Sequence, residues 1–285
     1  MSAKQSGAAQ AARARHGASE GSRERDRAGA RPPAALRCAL AVARREWMSL
    51  VLAPVGWIAI AAFALPPGIS FALGTVVPGA PVSMRLPLVV AAWSLFVVAP
   101  VLAWRSVGEE RRQGTWDPLV SSPAGAATIV LAKLAAQWAF LLLLLLPLVA
   151  QCALVSIVAR PDLGEFACGL LGVLLAGAMV LASSFWFAIV PPGPAAAYLL
   201  TIGTWSAWIL LGRALPLVVP PGWSAAAHAI DPLRRVDDFL LGMLDPAGAI
   251  FLIAVAAWFV VASIDAVADS VRHGSAPARR PARAL

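Results

Sequence analysis

Long apolar stretches alternate with short polar ones along the chain, and the apolar stretches are long runs with few interruptions, the third being broken mainly by Lys133, Gln137, Pro147 and Gln151. A run of about 20 apolar residues is the length a helix needs to cross a bilayer. The pattern predicts six such spans, over residues 51–73, 86–103, 124–158, 166–190, 195–212 and 250–268. The expected fold class is therefore all-α, a polytopic membrane protein of six transmembrane helices.

The polar stretches divide the chain further. Residues 1–35 hold Ala, Gly, Ser and Arg with no apolar period, so they cannot bury enough surface to order and read as a basic tail. Residues 36–50, LRCALAVARREWMSL, mix apolar and basic positions at near-helical spacing. They predict either an amphipathic helix at the membrane surface, with Trp47 at the interfacial belt, or an extension of the first span. Pro66 and Pro67 remove two backbone donors inside the first span, and a kink or break is expected there. A polar segment at 213–249 separates the last two spans, and a second basic tail follows residue 268. The spans with their connecting segments thus form one domain over 36–268.

The most densely charged of the internal connections is 104–123, WRSVGEERRQGTWDPLVSSP, which lies between segments 86–103 and 134–158 that carry no charge. On a helix Glu109 meets Arg105 four residues back and Arg112 three residues on. Gly114 can end that helix in a left-handed cap. Thr115 or Asp117 can start the next turn, with Pro118 at its first helical position. The expected product is a helix end, a rigid corner and a short helix across the membrane surface. Lys133, inside the third apolar stretch, is expected to snorkel toward lipid phosphates.

Charge decides the orientation. Of the 23 Lys and Arg residues, 18 fall before the first span, in the 104–123 segment, at Lys133 and in the last tail, and five fall in the alternate connections. Positive residues favour the cytoplasmic side, so both termini and the 104–123 segment are expected to be cytoplasmic, in a bacterial inner membrane. The same placement turns the net charge of +8 away from a nucleic-acid reading.

Several chemistries have no residues to support them. Cys38, Cys152 and Cys168 are too scattered for a disulfide framework or a metal site, and they read as small packing residues. The three histidines, His16, His228 and His273, form no cluster, and no nucleophile motif is present. The spans are nearly free of ionisable groups, with Asp265 near an end, which argues against an ion-driven carrier. Neither Lys4 nor Lys133 follows a glycine, so no phosphate-binding loop can be written. Uphill transport by this chain would need energy from another chain.

The segment GEERRQGTWDPLVSSPAGAATIVLAK resembles the signature of the permease subunits of type-2 ABC exporters, in particular the gliding-motility (GldF-like) group. That pattern, roughly E-E-R-x-x-G-T-x-E-x-L-x-x-S-P followed by an apolar stretch and a Lys, is matched at Glu109, Glu110, Arg111, Gly114, Thr115, Leu119, Ser122, Pro123 and Lys133. Arg45-Glu46 with Ala53-Pro54 is similar to the family's opening, and His228, Phe239 and Gly242 to Asp245 are similar to its end. The chain departs from the pattern at Trp116-Asp117-Pro118, where the family has an aliphatic residue, Glu and Leu.

The resemblance implies a transmembrane subunit that works with a cytoplasmic ABC ATPase and a second permease subunit, identical or related. ATP and magnesium would be held by the ATPase, and this chain would carry no cofactor and no catalytic residue. Arg44, Arg45, Glu46, Glu109, Glu110, Arg111 and Arg112 become candidate coupling contacts, with Gly114 and Thr115 shaping the corner. His228, Asp237, Asp238, Gly242 and Asp245 become a candidate external gate. A membrane anchor for an ATPase without transport, or a membrane-embedded enzyme, are the alternatives. The substrate is not legible, although apolar spans suit a lipid-like cargo.

Overall fold

The computed structural model describes residues 34–75, 82–120, 125–190, 193–218 and 231–274. The chain divides into a unit Met1–Cys38 and a unit Ala39–Leu285. The expected basic tails lie largely outside the described residues, as do Ser122, Pro123 and His228.

All regular structure among the described residues is helical. The helices are α1 Ala34–Leu52, α2 Pro54–Gly74, α3 Arg85–Arg112, α4 Trp116–Val120, α5 Ala126–Val158, α6 Leu163–Ile189, α7 Pro194–Val218, α8 Pro232–Leu240 and α9 Pro246–Gly274. Six of them, α2, α3, α5, α6, α7 and α9, are long and apolar enough to cross a membrane. They coincide with the six expected spans, with ends that differ. The largest difference is at α3, which runs past Ala103 to Arg112; α7 runs past Gly212 through Arg213 to Val218, and α9 runs on to Gly274 instead of stopping at Ala268.

Pro66 and Pro67 do not break α2, which is continuous across them, as α3 is across Pro100 and α5 across Pro147. Each proline forfeits one internal hydrogen bond, whereas a break would leave a full helix end of orphan groups where no water can satisfy them. Continuity is the cheaper outcome.

The bundle has a centre and a periphery. In α3 and α6, 61% and 67% of the spanning window is buried, against 22% to 33% in the other four spans. The centre is close-packed because α6 carries small residues where its neighbours approach it. A Cβ at Gly172 would lie 2.5 Å from the Phe239 Cβ, and one at Gly177 would lie 2.9 Å from Leu141. Small residues of this kind let helices approach in lipid, where apolar side chains gain little from leaving an apolar solvent. Aromatic rings fill joints between helices, those of the centre included. Trp205 stacks on Trp208 at 5.3 Å and donates its indole N–H to Ser183 Oγ at 2.9 Å.

Local chemistry sets the turns. The Asp162 carboxylate accepts from the N–H groups of Gly164 and Glu165 at 2.8 and 3.1 Å and so caps α6. Asp231 caps α8 through the Leu233 N–H, and Asp245 starts α9 through the N–H groups of Ala247 and Gly248.

Candidate functional site

The apolar run that builds α3 ends at Ala103, but the helix continues into the charged segment to Arg112. With 28 residues α3 is about 42 Å long, more than a hydrocarbon core of about 30 Å requires. Its last turns therefore extend past the apolar zone.

Gly114 ends α3 at φ 68°. The Gly114 N–H donates to the Arg111 carbonyl at 3.3 Å and the Thr115 N–H to the Glu110 carbonyl at 2.9 Å, the two bonds of a Schellman cap. The Thr115 hydroxyl also donates to the Glu110 carbonyl, at 3.3 Å. The chain then turns directly into α4, whose first bond runs from the Leu119 N–H to the Thr115 carbonyl. Thr115, rather than Asp117, thus precedes the short helix, and Pro118 is its third residue instead of its first. Trp116 and Val120 are buried against Ala103, Val107, Val130 and Val267, which holds the corner on the bundle.

Side chains on this end of α3 divide by direction. Glu109, Arg111, Arg112, Gln113, Gly114, Asp117 and Pro118 are exposed. The Arg111 guanidinium lies 5.6 Å from the Trp116 ring and donates to the Ile189 carbonyl, and Arg112 lies 5.8 Å from the Trp104 ring. The ion pairs expected along the helix are not formed. Glu109 accepts from Gln113 Nε2 at 2.7 Å, and Arg105 reaches away to the Ser49 carbonyl on α1 at 2.8 Å.

Glu110 turns the other way and is buried, together with Glu46 from α1. Between them lies Lys133, which is completely buried and does not snorkel. Its ammonium is 3.1 Å from Glu46 Oε2 and 3.0 Å from Glu110 Oε1. It also donates to the Ser106 carbonyl at 3.1 Å, and Ser106 Oγ lies 3.4 Å away. A lysine eight residues into α5 is too far inside the packed bundle to lift its head to the surface, so the structure brings carboxylates to it. Three helices, α1, α3 and α5, meet at this one cation. One turn further along α5, Gln137 is fully buried and neither of its amide atoms has a partner.

The sequence names Glu46 and Glu110 as candidate coupling residues but does not show the triad as a unit. The available signal was Lys133 itself, a cation in an otherwise uncharged apolar stretch that carries Gln137 one turn on. A buried ammonium requires anionic partners.

At the other end of the bundle the candidate gate residues have defined local roles. Gly242, at φ 79°, closes α8 with a second Schellman cap: the Gly242 N–H donates to the Phe239 carbonyl at 3.0 Å and the Met243 N–H to the Asp238 carbonyl at 3.0 Å. Asp245 caps α9 and pairs with Arg235 at 3.3 Å. Arg213 of α7 lies 3.9 Å from Asp237 and 4.0 Å from Asp231. Burial pushes the Asp237 carboxyl up from its ordinary value, and the charges of Arg213 and Arg85 pull it partly back. Phe239 and Leu240 are buried against α6, so α8 is docked on the bundle rather than free.

Six apolar spanning helices around a packed centre define a multi-pass α-helical membrane protein. No family model and no curated protein matches the sequence.

Proposed function

We propose that this membrane protein is the permease subunit of an ABC exporter, driven by ATP hydrolysis on a separate cytoplasmic ATPase and paired with a second permease subunit. The observation that carries the proposal is the corner at Gln113 to Pro118. It joins a spanning helix to a short surface helix through a Schellman cap, and it presents Glu109, Arg111, Arg112 and Asp117 outward. Such a corner transmits a push because it is rigid: α4 is held by Trp116 and Val120, and α3 is continuous from the corner to Arg85. The resemblance of residues 109–133 to the exporter signature and the cytoplasmic charge bias support the same reading.

In this mechanism, closure of the ATPase pair on ATP presses on the α3–α4 corner. The force passes along α3, and through the Glu46–Lys133–Glu110 cluster to α1 and α5. The spans then rock between inward- and outward-facing arrangements, with α8 and the segment around it as the outer gate. Glu46 and Glu110 act inside the bundle as the joint between helices, and Arg44, Arg111 and Arg112 face the ATPase. The apolar outer faces of the peripheral spans meet the bilayer and the second permease.

The test is co-purification of the tagged chain with the ATPase encoded beside it, followed by ATP hydrolysis by the complex. Reversing two exposed charges, Arg112→Glu with Asp117→Lys, is expected to release the ATPase or uncouple hydrolysis while the bundle stays folded. An intact complex with unchanged hydrolysis would remove the corner from the mechanism.

A further inference from the structure

Beside the buried cluster, α1 and α3 enclose a polar cleft of about 380 Å³, lined among others by Arg45, Glu46, Ser49, Arg105, Glu109 and Glu110. Its volume is at the small end of ligand-binding cavities, which run from about 300 to 1,000 Å³. Two of its buried polar atoms have no partner: Arg105 Nη1, a donor, and Glu110 Oε2, an acceptor. Glu110 is 7% exposed. Buried groups of opposite character left unpaired in one cleft are expected to meet a ligand that offers both an anion and an N–H cation.

The balance of charge narrows the ligand. Two arginines face three glutamates, and Lys133 offsets the third, so the cleft with its neighbour is formally neutral. A neutral molecule with separated charges fits, and a purely anionic one does not.

Position narrows it further. Arg105 lies two residues beyond Ala103, the last residue of the apolar run of α3, which puts the cleft at the level of lipid headgroups. Val55, on the rim, begins an exposed apolar stripe down α2 through Ile58, Leu65 and Ile69. We propose that the cleft binds the headgroup of a phosphoethanolamine lipid, its phosphate on Arg45 and Arg105, its ammonium on Glu109 and Glu110, and its acyl chains along α2. A choline headgroup has no N–H to give Glu110, and a glycerol headgroup has no cation.

The experiment is lipid titration of the purified full-length protein followed by native mass spectrometry. Dioleoyl phosphatidylethanolamine is compared with the choline and glycerol lipids of the same chains and with soluble O-phosphoethanolamine. The ethanolamine lipid is expected to bind about tenfold tighter than the choline lipid, the difference expected for one lost charge-assisted hydrogen bond. Glu109→Gln with Arg45→Gln is expected to erase that preference, and Arg45→Lys to keep most of it, with unchanged thermal unfolding for each. Equal binding of ethanolamine and choline lipids, or tighter binding of the glycerol lipid, would overturn the proposal. So would equally tight binding of the soluble headgroup, which would remove the lipid from it. None of these outcomes depends on the presence of an ATPase.

Discussion

Lys133 and Glu46 stand 87 positions apart in the chain and 3.1 Å apart in the protein. With Glu110 they tie α1 to two spans at a point where the ammonium is fully buried. Charges withdrawn from water are costly unless paired and hydrogen-bonded, and this cation has partners for all its protons.

Removing only the cation should therefore be severe. Lys133→Met leaves two buried carboxylates facing each other, and a loss of about 3–5 kcal/mol is expected. The triple variant Glu46→Gln, Lys133→Met, Glu110→Gln should recover most of that loss, because no bare charge remains. Thermal unfolding of the purified protein in detergent distinguishes the two. A triple variant as unstable as Lys133→Met would show that the geometry, not the charge, is what the bundle needs.

Gln137 points the opposite way. Its amide is buried with both polar atoms unpaired, so replacing it by the similarly sized Met should stabilise the bundle by about 1–3 kcal/mol. A lower unfolding temperature for Gln137→Met would indicate that an internal water satisfies this side chain.

Gly172 has no room for a side chain, since Phe239 of α8 lies against it. Gly172→Ala is expected to cost about 1–3 kcal/mol through overpacking, and to loosen α8 before the spans. Hydrogen exchange should show the backbone amides of residues 233–241 losing protection first. Uniform loss across the protein would contradict this.

Asp237 predicts a dependence on pH. Its carboxyl ionises at a higher pH in the folded protein than in the unfolded chain, chiefly because of burial. The folded state therefore holds the extra proton, and the stability from that proton is present at acid pH and lost as pH rises through the raised value. Relative to the natural chain, Asp237→Asn should be favoured at pH 7 and lose that advantage on acidification toward about pH 4. Unfolding temperatures measured across this range check the slope. A difference that does not vary with pH would mean that Asp237 titrates in the folded protein as it does unfolded.

The places where the chain crosses the membrane were legible without coordinates, since a span needs only an adequate local run of apolar residues. The corner at Gly114 was legible for a similar reason, because a left-handed cap is a property of a few consecutive residues and glycine adopts it without strain. Asp162, Asp231 and Asp245 announce helix starts in the same local way.

What the tertiary structure alone decided is the fate of the charges around that corner. Glu109 and Glu110 are neighbours with the same side chain, yet a turn of about 100° along the helix sends one to the surface and the other into the bundle. Whether Lys133 reaches a lipid phosphate or a buried carboxylate depends on what α1 and α3 bring within 3.1 Å of it, and no run of consecutive residues contains that information. The order and type of the helices are local and follow from composition, although their ends do not. The pairing of Glu46, Lys133 and Glu110 is long-range, and only the packing of three helices selects it.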